Sequence, residues 1–224
     1  VLSVKVDVSR AILDVNDALA AENRALFASA GVYVLDLMAS PGAGKTSTIL
    51  ATIDALRDRY RIAVIEGDIA SKVDAEKVRA HGIPAVQINT GGACHLESRM
   101  IRRAVDELPL SELDLIIIEN VGNLVCPTDF DLGEHAKVMI LSVPEGHDKP
   151  YKYPNIFQVS RAIILNKYDT LGVFDFDEAE FRGAVGRLNA TAPIFAIAAT
   201  TGDGVDVWAE WLVQRIEETK GAAT

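Results

Sequence analysis

A chain of 224 residues with 49% hydrophobic content and a formal net charge of -10 is long enough to bury the core of one α/β domain. The acidic balance excludes nucleic acid as the main partner, because neutralising phosphates needs a basic face. No apolar run approaches the ~18 residues of a membrane span, the opening VLSVKVDVSR lacks the basic start and continuous apolar stretch of a signal peptide, and two cysteines make no disulfide framework. The expectation is a soluble cytoplasmic protein.

Residues 9–29 read as an alanine-rich helix, with Ile12, Leu13, Val15, Leu19 and Leu26 as its apolar positions and Gly31 ending it. This predicts an N-terminal helical extension over 1–30, packed on the outside of a domain over 31–224. Strand patterns follow over 32–39, 62–67, 85–89, 113–119, 137–143, 161–166 and 194–198. Helical patterns fall over 45–58, 74–80, 95–108, 177–189 and 204–219. Runs such as LDLIIIEN and RAIILNK are almost continuously apolar, which suits central strands covered on both faces. Strand and helix alternating along the chain, with no internal repeat, predict a single doubly wound, mostly parallel α/β sheet.

Between the first strand and its helix, Ala39-Ser40-Pro41-Gly42-Ala43-Gly44-Lys45-Thr46 has P-loop spacing, with alanine in place of the usual first glycine. Small residues let backbone N–H groups turn inward around phosphate oxygens at a helix N-terminus. Lys45 reaches the β- and γ-phosphates and the Thr46 hydroxyl ligates Mg2+ in such a loop. Gly42, Ala43, Gly44, Lys45, Thr46 and Ser47 are thus the candidate phosphate-binding residues, and a glycine-rich turn with an exposed lysine is the alternative.

Asn166-Lys167-Tyr168-Asp169 ends a strand. A carboxylate there accepts from guanine N1–H and the 2-amino group together, and rejects adenine, which offers neither donor. Asn166 fixes the loop, the Lys167 stem lies along the base, and the backbone N–H of Ala199 in FAIAATTGDG is the donor candidate for guanine O6. Ser40 stands where ATPases of the chromosome-partitioning type carry an extra lysine. The expected nucleotide is GTP. Glu119-Asn120-Val121-Gly122 ends the LDLIIIEN strand, where P-loop GTPases usually carry Asp-x-x-Gly. There Glu119 is the candidate for holding Mg2+ through a water, and the Gly122 N–H for sensing the γ-phosphate; a strand-end acid satisfied by a neighbouring loop is the alternative.

On residue type alone, Cys94, His95 and Cys126 are either a metal site or, more commonly for such residues, two small buried hydrophobes and a surface imidazole. His81, His135 and His147 read as solvated or capping.

The stretches ENRALFASAGVYVLDLMASPGAGKT, EGDIASKVDAEKVRAHGIPAVQINTGGACHLE and IIIENVGNLVCPTDFDLGEHAKVMILSVPEGHDKPYKYP, together with LNKYD, resemble the HypB family. Its members are GTPases used in nickel insertion during NiFe-hydrogenase maturation. The resemblance spans roughly residues 20 to 205, and ENVGNLVCP followed by DFDLGE is its most specific part. It implies a nickel or zinc site at Cys94, His95 and Cys126, a donor set that suits both ions and leaves coordination open. A helix beginning near Cys94 would lower its thiol pKa. It also implies a homodimer when GTP-loaded, with the metal near the subunit interface, and hydrogenase maturation factors and the hydrogenase large subunit as partners.

EGDIASKVDAEK corresponds to a switch segment in that family, which makes Asp68 and then Asp74 candidates for the Mg2+ side or the attacking water; for Asp74 an N-cap role is the alternative. DKPYKYP, with Lys149 and Lys152, matches a segment near the nucleotide and dimer contact, against a solvated loop. No glutamine stands where some GTPases position water and no arginine finger is identifiable, so slow hydrolysis is expected. The Cys-Pro-His unit of urease-maturation GTPases is missing, as are the N-terminal cysteine cluster and histidine-rich tract of some HypB members. No separate tight or storage nickel site is therefore expected in this sequence. Competing readings are a maturation GTPase for another metalloenzyme such as urease, and a nucleotide-gated metal-binding scaffold with negligible turnover.

Overall fold

A computed structural model describes the backbone of residues 8–68, 78 and 80–222. Strands β1 (Tyr33–Ala39), β2 (Ile62–Asp68), β3 (Ala85–Asn89), β4 (Leu115–Glu119), β5 (Ala136–Ser142), β6 (Ala162–Asn166) and β7 (Ile194–Ala196) form one seven-stranded sheet in the order β3-β2-β4-β1-β5-β6-β7. Every pairing in it is parallel. Around it lie helices α1 (Val8–Ala30), α2 (Lys45–Leu56), α3 (Ser98–Val105), α4 (Lys149–Lys152), α5 (Pro154–Val159), α6 (Glu178–Leu188) and α7 (Val205–Ala222). The expected strands all form, with ends within two residues of their predicted limits. The helix expected over 74–80 lies largely outside the described residues.

Strands β1, β4 and β6 are buried along their whole length, as their unbroken apolar runs require. On one face Leu35, Leu37, Val64 and Ile117 pack under Ile53 of α2 and Trp208 of α7. On the other, Val34, Ile65 and Ile116 meet Phe27 of α1 and Ile101 of α3, while Met38 and Ile163 meet Phe157 of α5 and Phe181 of α6. Trp208 Nε1 donates to Thr52 Oγ1 at 2.9 Å, and Thr48 Oγ1 to the Gly44 carbonyl at 2.9 Å. Both contacts fix α2 beneath the loop that precedes it.

Helix α1 corrects the expectation for its apolar stripe. Val15 is 64% exposed and Leu13, Leu19 and Leu26 are only partly buried, while the side chain of Ile12 lies outside the described residues. The buried positions are Asn16, Ala20, Asn23 and Phe27, at the spacing of one helix face. A buried amide costs free energy unless hydrogen-bonded, and both asparagines are satisfied by distant backbone. Asn16 Oδ1 accepts from Ser98 N at 2.9 Å and its Nδ2 donates to Asp131 O at 2.7 Å. Asn23 Nδ2 donates to the Ser98 and Leu132 carbonyls at 3.0 and 3.1 Å. The helix thus holds the start of α3 and the 131–132 turn together.

The DKPYKYP segment is helical, as α4 and the start of α5. Lys152 pairs with Asp148, and the Lys149 ammonium lies 5.5 Å from the Tyr153 ring centroid.

Candidate functional site

Parallel strands place the loops after β1, β3, β4 and β6 along one edge of the sheet, and β1 is where the winding reverses, with β4 on one side and β5 on the other. Crevices at such points bind ligands in open α/β sheets. The loop after β1 is Ser40 to Gly44. Its Gly42 and Gly44 have φ of 80° and 94°, left-handed values that L side chains resist. A Cβ at Gly44 would also come within 2.4 Å of Asn166 Nδ2. Ser40 Oγ donates to Glu145 Oε1, and Glu145 in turn accepts from Ser142 N at 2.7 Å, which ties the loop to the end of β5.

Lys45, Thr46 and Ser47 form the first turn of α2. Thr46 Oγ1 donates to Glu119 Oε1 at 3.1 Å, so the helix start meets the end of β4. Asn166 Nδ2 donates to Ala43 O at 2.9 Å and Lys167 Nζ to Gly42 O at 2.8 Å. Ala199 N–H donates to Asn166 Oδ1 at 3.2 Å. Asp169 is exposed, on the turn Tyr168–Thr170 that follows Lys167. The residues read as phosphate and guanine contacts are therefore contiguous, with Asn166 bridging the two groups. Asp68 is the last residue of β2; its side chain, and all of Asp74, lie outside the described residues.

Beside this loop, Cys94, His95 and Cys126 place their ligand atoms within 4.8 Å of one another. The two Sγ atoms are 3.0 Å apart, and Cys94 Sγ is 3.6 Å from His95 Nδ1. Two sulfurs at ~2.3 Å and a nitrogen at ~2.0 Å from one ion would be separated by about 4 Å or less, so the donors fit a single cation after small shifts. His95 stacks on Phe130 at a centroid distance of 3.8 Å. Its Nε2 is buried with no hydrogen-bond partner, and burial, partly opposed by Glu97, pushes its pKa below the ordinary value. The imidazole is thereby kept neutral, the form that binds metals.

One expectation fails here. Helix α3 begins at Ser98, with Glu97 as its N-cap, so Cys94 is not at a helix terminus. The hydrogen bond shared with Cys126, followed by burial, raises the Cys94 thiol above its ordinary pKa. His147 does cap, accepting from Asp177 N at 3.1 Å just before α6. His135 is half-buried instead of solvated: it stacks on Tyr33 at 5.0 Å and its Nδ1 accepts from Val34 N at 3.0 Å.

The two halves of the site touch through one turn. A Cβ on Gly122 would come within 2.9 Å of Pro41 Cγ, so only glycine lets this turn lie against the phosphate loop. The next residue, Asn123, donates from Nδ2 to Cys94 O at 3.1 Å and accepts from Val125 N at 2.9 Å.

Residues 33–196 match the family model described as the CobW/HypB/UreG nucleotide-binding domain. The hydrogenase maturation factor HypB of Escherichia coli K12 is 47% identical over 211 residues, 94% of this chain and 71% of that protein. The probable hydrogenase maturation factor HypB of Methanocaldococcus jannaschii is 39% identical, across 96% of this chain and 97% of its own length. The chain belongs to the HypB family. A crystal structure of HypB from Helicobacter pylori in complex with nickel superposes with a TM-score of 0.87 at 39% identity, covering 92% of this chain and 96% of that one. The HypB fold is thus the doubly wound P-loop sheet expected, and its nucleotide-binding domain includes both the phosphate loop and the thiol–imidazole cluster.

Two side chains of this HypB-family site escape the sequence reading. Glu66 pairs with Glu119 across β2 and β4 and is only 3% exposed, which puts a second carboxyl group beside the first. An acid closing the apolar run RIAVIEGD was the available signal. Asn123 carried none, since its role depends on the approach of Cys94 from another loop.

Proposed function

We propose that the chain is a GTP-hydrolysing metallochaperone that binds nickel (or zinc) at Cys94, His95 and Cys126 and assists nickel insertion into NiFe-hydrogenase. It acts as a homodimer when GTP-loaded, with hydrogenase maturation factors and the hydrogenase large subunit as partners. The names of its relatives, hydrogenase maturation factors, and the nickel complex of the Helicobacter pylori protein support this reading.

In this mechanism the backbone N–H groups of Gly42 to Thr46 and the Lys45 ammonium hold the β- and γ-phosphates, positioning and charge stabilisation being most of what phosphoryl transfer requires. Thr46 and Glu119, with Asp68 and Asp74 as further candidates, would hold Mg2+, whose charge offsets that developing on the transferred phosphoryl group. Asp169 accepts from guanine N1–H and the 2-amino group, while Asn166 shares or yields the Ala199 N–H to O6. Exchanging Asp169 for asparagine removes a charged acceptor and faces guanine donors with an amide donor. GTP affinity is expected to fall about 10- to 100-fold in Asp169→Asn, with xanthosine triphosphate gaining relative to GTP in competition binding. Wild-type protein that holds ATP as tightly as GTP would refute the guanine assignment.

The observation that carries the coupling is the Gly122–Asn123 turn, which rests on Pro41 and holds the Cys94 carbonyl. Contact of Gly122 with the γ-phosphate shifts that turn, and with it the spacing of Cys94 and Cys126; hydrolysis releases it. Nickel affinity measured by competition with a chelating dye is therefore expected to differ between the GDP form and a form loaded with a non-hydrolysable GTP analogue. Equal affinities in the two would end the gating mechanism.

A further inference from the structure

We infer that Asp36, Asn120 and Lys137 are positioning residues for the metal site: a buried polar unit that holds both ligand-bearing loops in register with the strand end carrying Glu119. The inference rests on the reading of Cys94, His95 and Cys126 as the nickel ligands.

Asp36 is fully buried in the middle of β1, in the otherwise apolar stretch YVLDLMA. A carboxylate there costs desolvation and is weak evidence for stability, since buried ion pairs can often be replaced by apolar groups without loss. Its contacts account for it. Asp36 Oδ2 accepts from Lys137 Nζ at 3.0 Å, and its two oxygens accept from Asn120 Nδ2 at 3.0 and 3.2 Å.

Both partners also bond the backbone of the cluster. Lys137 Nζ donates to Pro127 O at 3.3 Å, adjacent to Cys126, and to Phe130 O at 2.9 Å, the residue whose ring stacks on His95. Asn120 Oδ1 accepts from Leu96 N at 3.4 Å, adjacent to His95, and from Val121 N at 2.9 Å. Glu134 closes the unit, 3.0 Å from Lys137 Nζ and accepting from Leu132 N at 2.7 Å. Burial opposes the charge on Lys137, but Asp36 and Glu134 outweigh it and keep the ammonium protonated.

One charged centre therefore fixes the residues flanking two of the three ligands and the ring that orients the imidazole. Asn120 directly follows Glu119, which accepts from Thr46 at the phosphate loop. A displacement at the nucleotide is thus transmitted along one peptide unit to the segment that holds Leu96 and, through Asp36, to the ammonium that holds Pro127. Networks behind metal ligands set ligand orientation, and their loss costs roughly 10- to 100-fold in metal affinity.

The test uses the full chain, with Ni2+ alone titrated against a chelating dye. One variant combines Asp36→Asn, Glu134→Gln and Lys137→Met, which leaves no member of the unit as a lone buried charge. The other is Asn120→Ala, which keeps the ion pair and removes the tie to Leu96. Each is expected to weaken nickel binding about 10- to 100-fold and to shift the thiolate-to-nickel charge-transfer band, while GDP affinity of the triple variant stays within about twofold of wild type. Unchanged nickel affinity and an unchanged band in both variants would overturn the inference, as would a loss of nickel binding that only parallels a loss of GDP binding. Cys126→Ala serves as the reference. If it binds nickel like wild type, the ligand reading falls and this inference with it; if it alone loses nickel, only the positioning role falls.

Discussion

Lys45→Ala is expected to lower phosphate release from GTP by about 10²- to 10³-fold, the usual effect of removing one preorganised group from the charge that develops in a transition state. Lys45 opens α2 directly after the left-handed Gly44, and Asn166 continues to hold the Ala43 carbonyl. The loop therefore has its own support once the ammonium is gone, and the loss should appear as rate, not as misfolding. The measurement is Mg2+-dependent phosphate release under saturating GTP, with GDP affinity recorded in parallel. Wild type and variant releasing phosphate equally slowly would remove the hydrolytic role and leave a nucleotide-gated binding protein.

Cys126→Ala is expected to weaken nickel binding by at least about a hundredfold, since loss of a ligand exceeds the 10- to 100-fold cost of losing the groups behind one. Cys94→Ala should match it, because the two sulfurs sit 3.0 Å apart and offer equivalent donors to one ion. Fold stability should change by no more than about 0.5 kcal/mol, as for surface substitutions outside the core. Cys94 is exposed and Cys126 half-exposed, so neither closes the core. The check is dye competition alongside thermal unfolding. A Cys126→Ala protein that retains wild-type affinity would move the metal elsewhere on the chain.

The parts of the molecule that could be read before folding are those governed by local patterns. LDLIIIEN and RAIILNK are apolar at every position that a two-sided strand must bury, and they became β4 and β6. The phosphate loop was legible because glycine spacing, lysine and hydroxyl are neighbours in the chain. Features set by tertiary contacts were not. The inward face of α1 was mistaken because two of its four buried positions are asparagines, whose partners at Ser98, Asp131 and Leu132 lie on distant loops.

Helices α4 and α5 were missed because Pro150 and Pro154 suggest a loop, although proline is well suited to the first turn of a helix, which is where both sit. The Cys94 thiol was misjudged for a related reason. Its environment is decided by Cys126, 32 positions further on, and not by the helix that follows it. Asp36 and Lys137 carried no signal in the sequence, because only the parallel pairing of β1 with β5, which sets them opposite each other, makes them a pair.

The hydrogen bonds of α1 also govern how the nascent chain matures. Asn16 finds one of its partners 115 positions downstream, at Asp131. At a ribosomal pace of about 5–20 residues per second, that acceptor is synthesised about 6–23 s after the asparagine. During this interval the helix can meet β1, β2 and Ser98, but the Asn16 Nδ2 amide lacks its Asp131 acceptor and is met by water. The helix thus completes its hydrogen bonds only after residues 131 and 132 are made, and the turn beyond Cys126 gains its rear support only then.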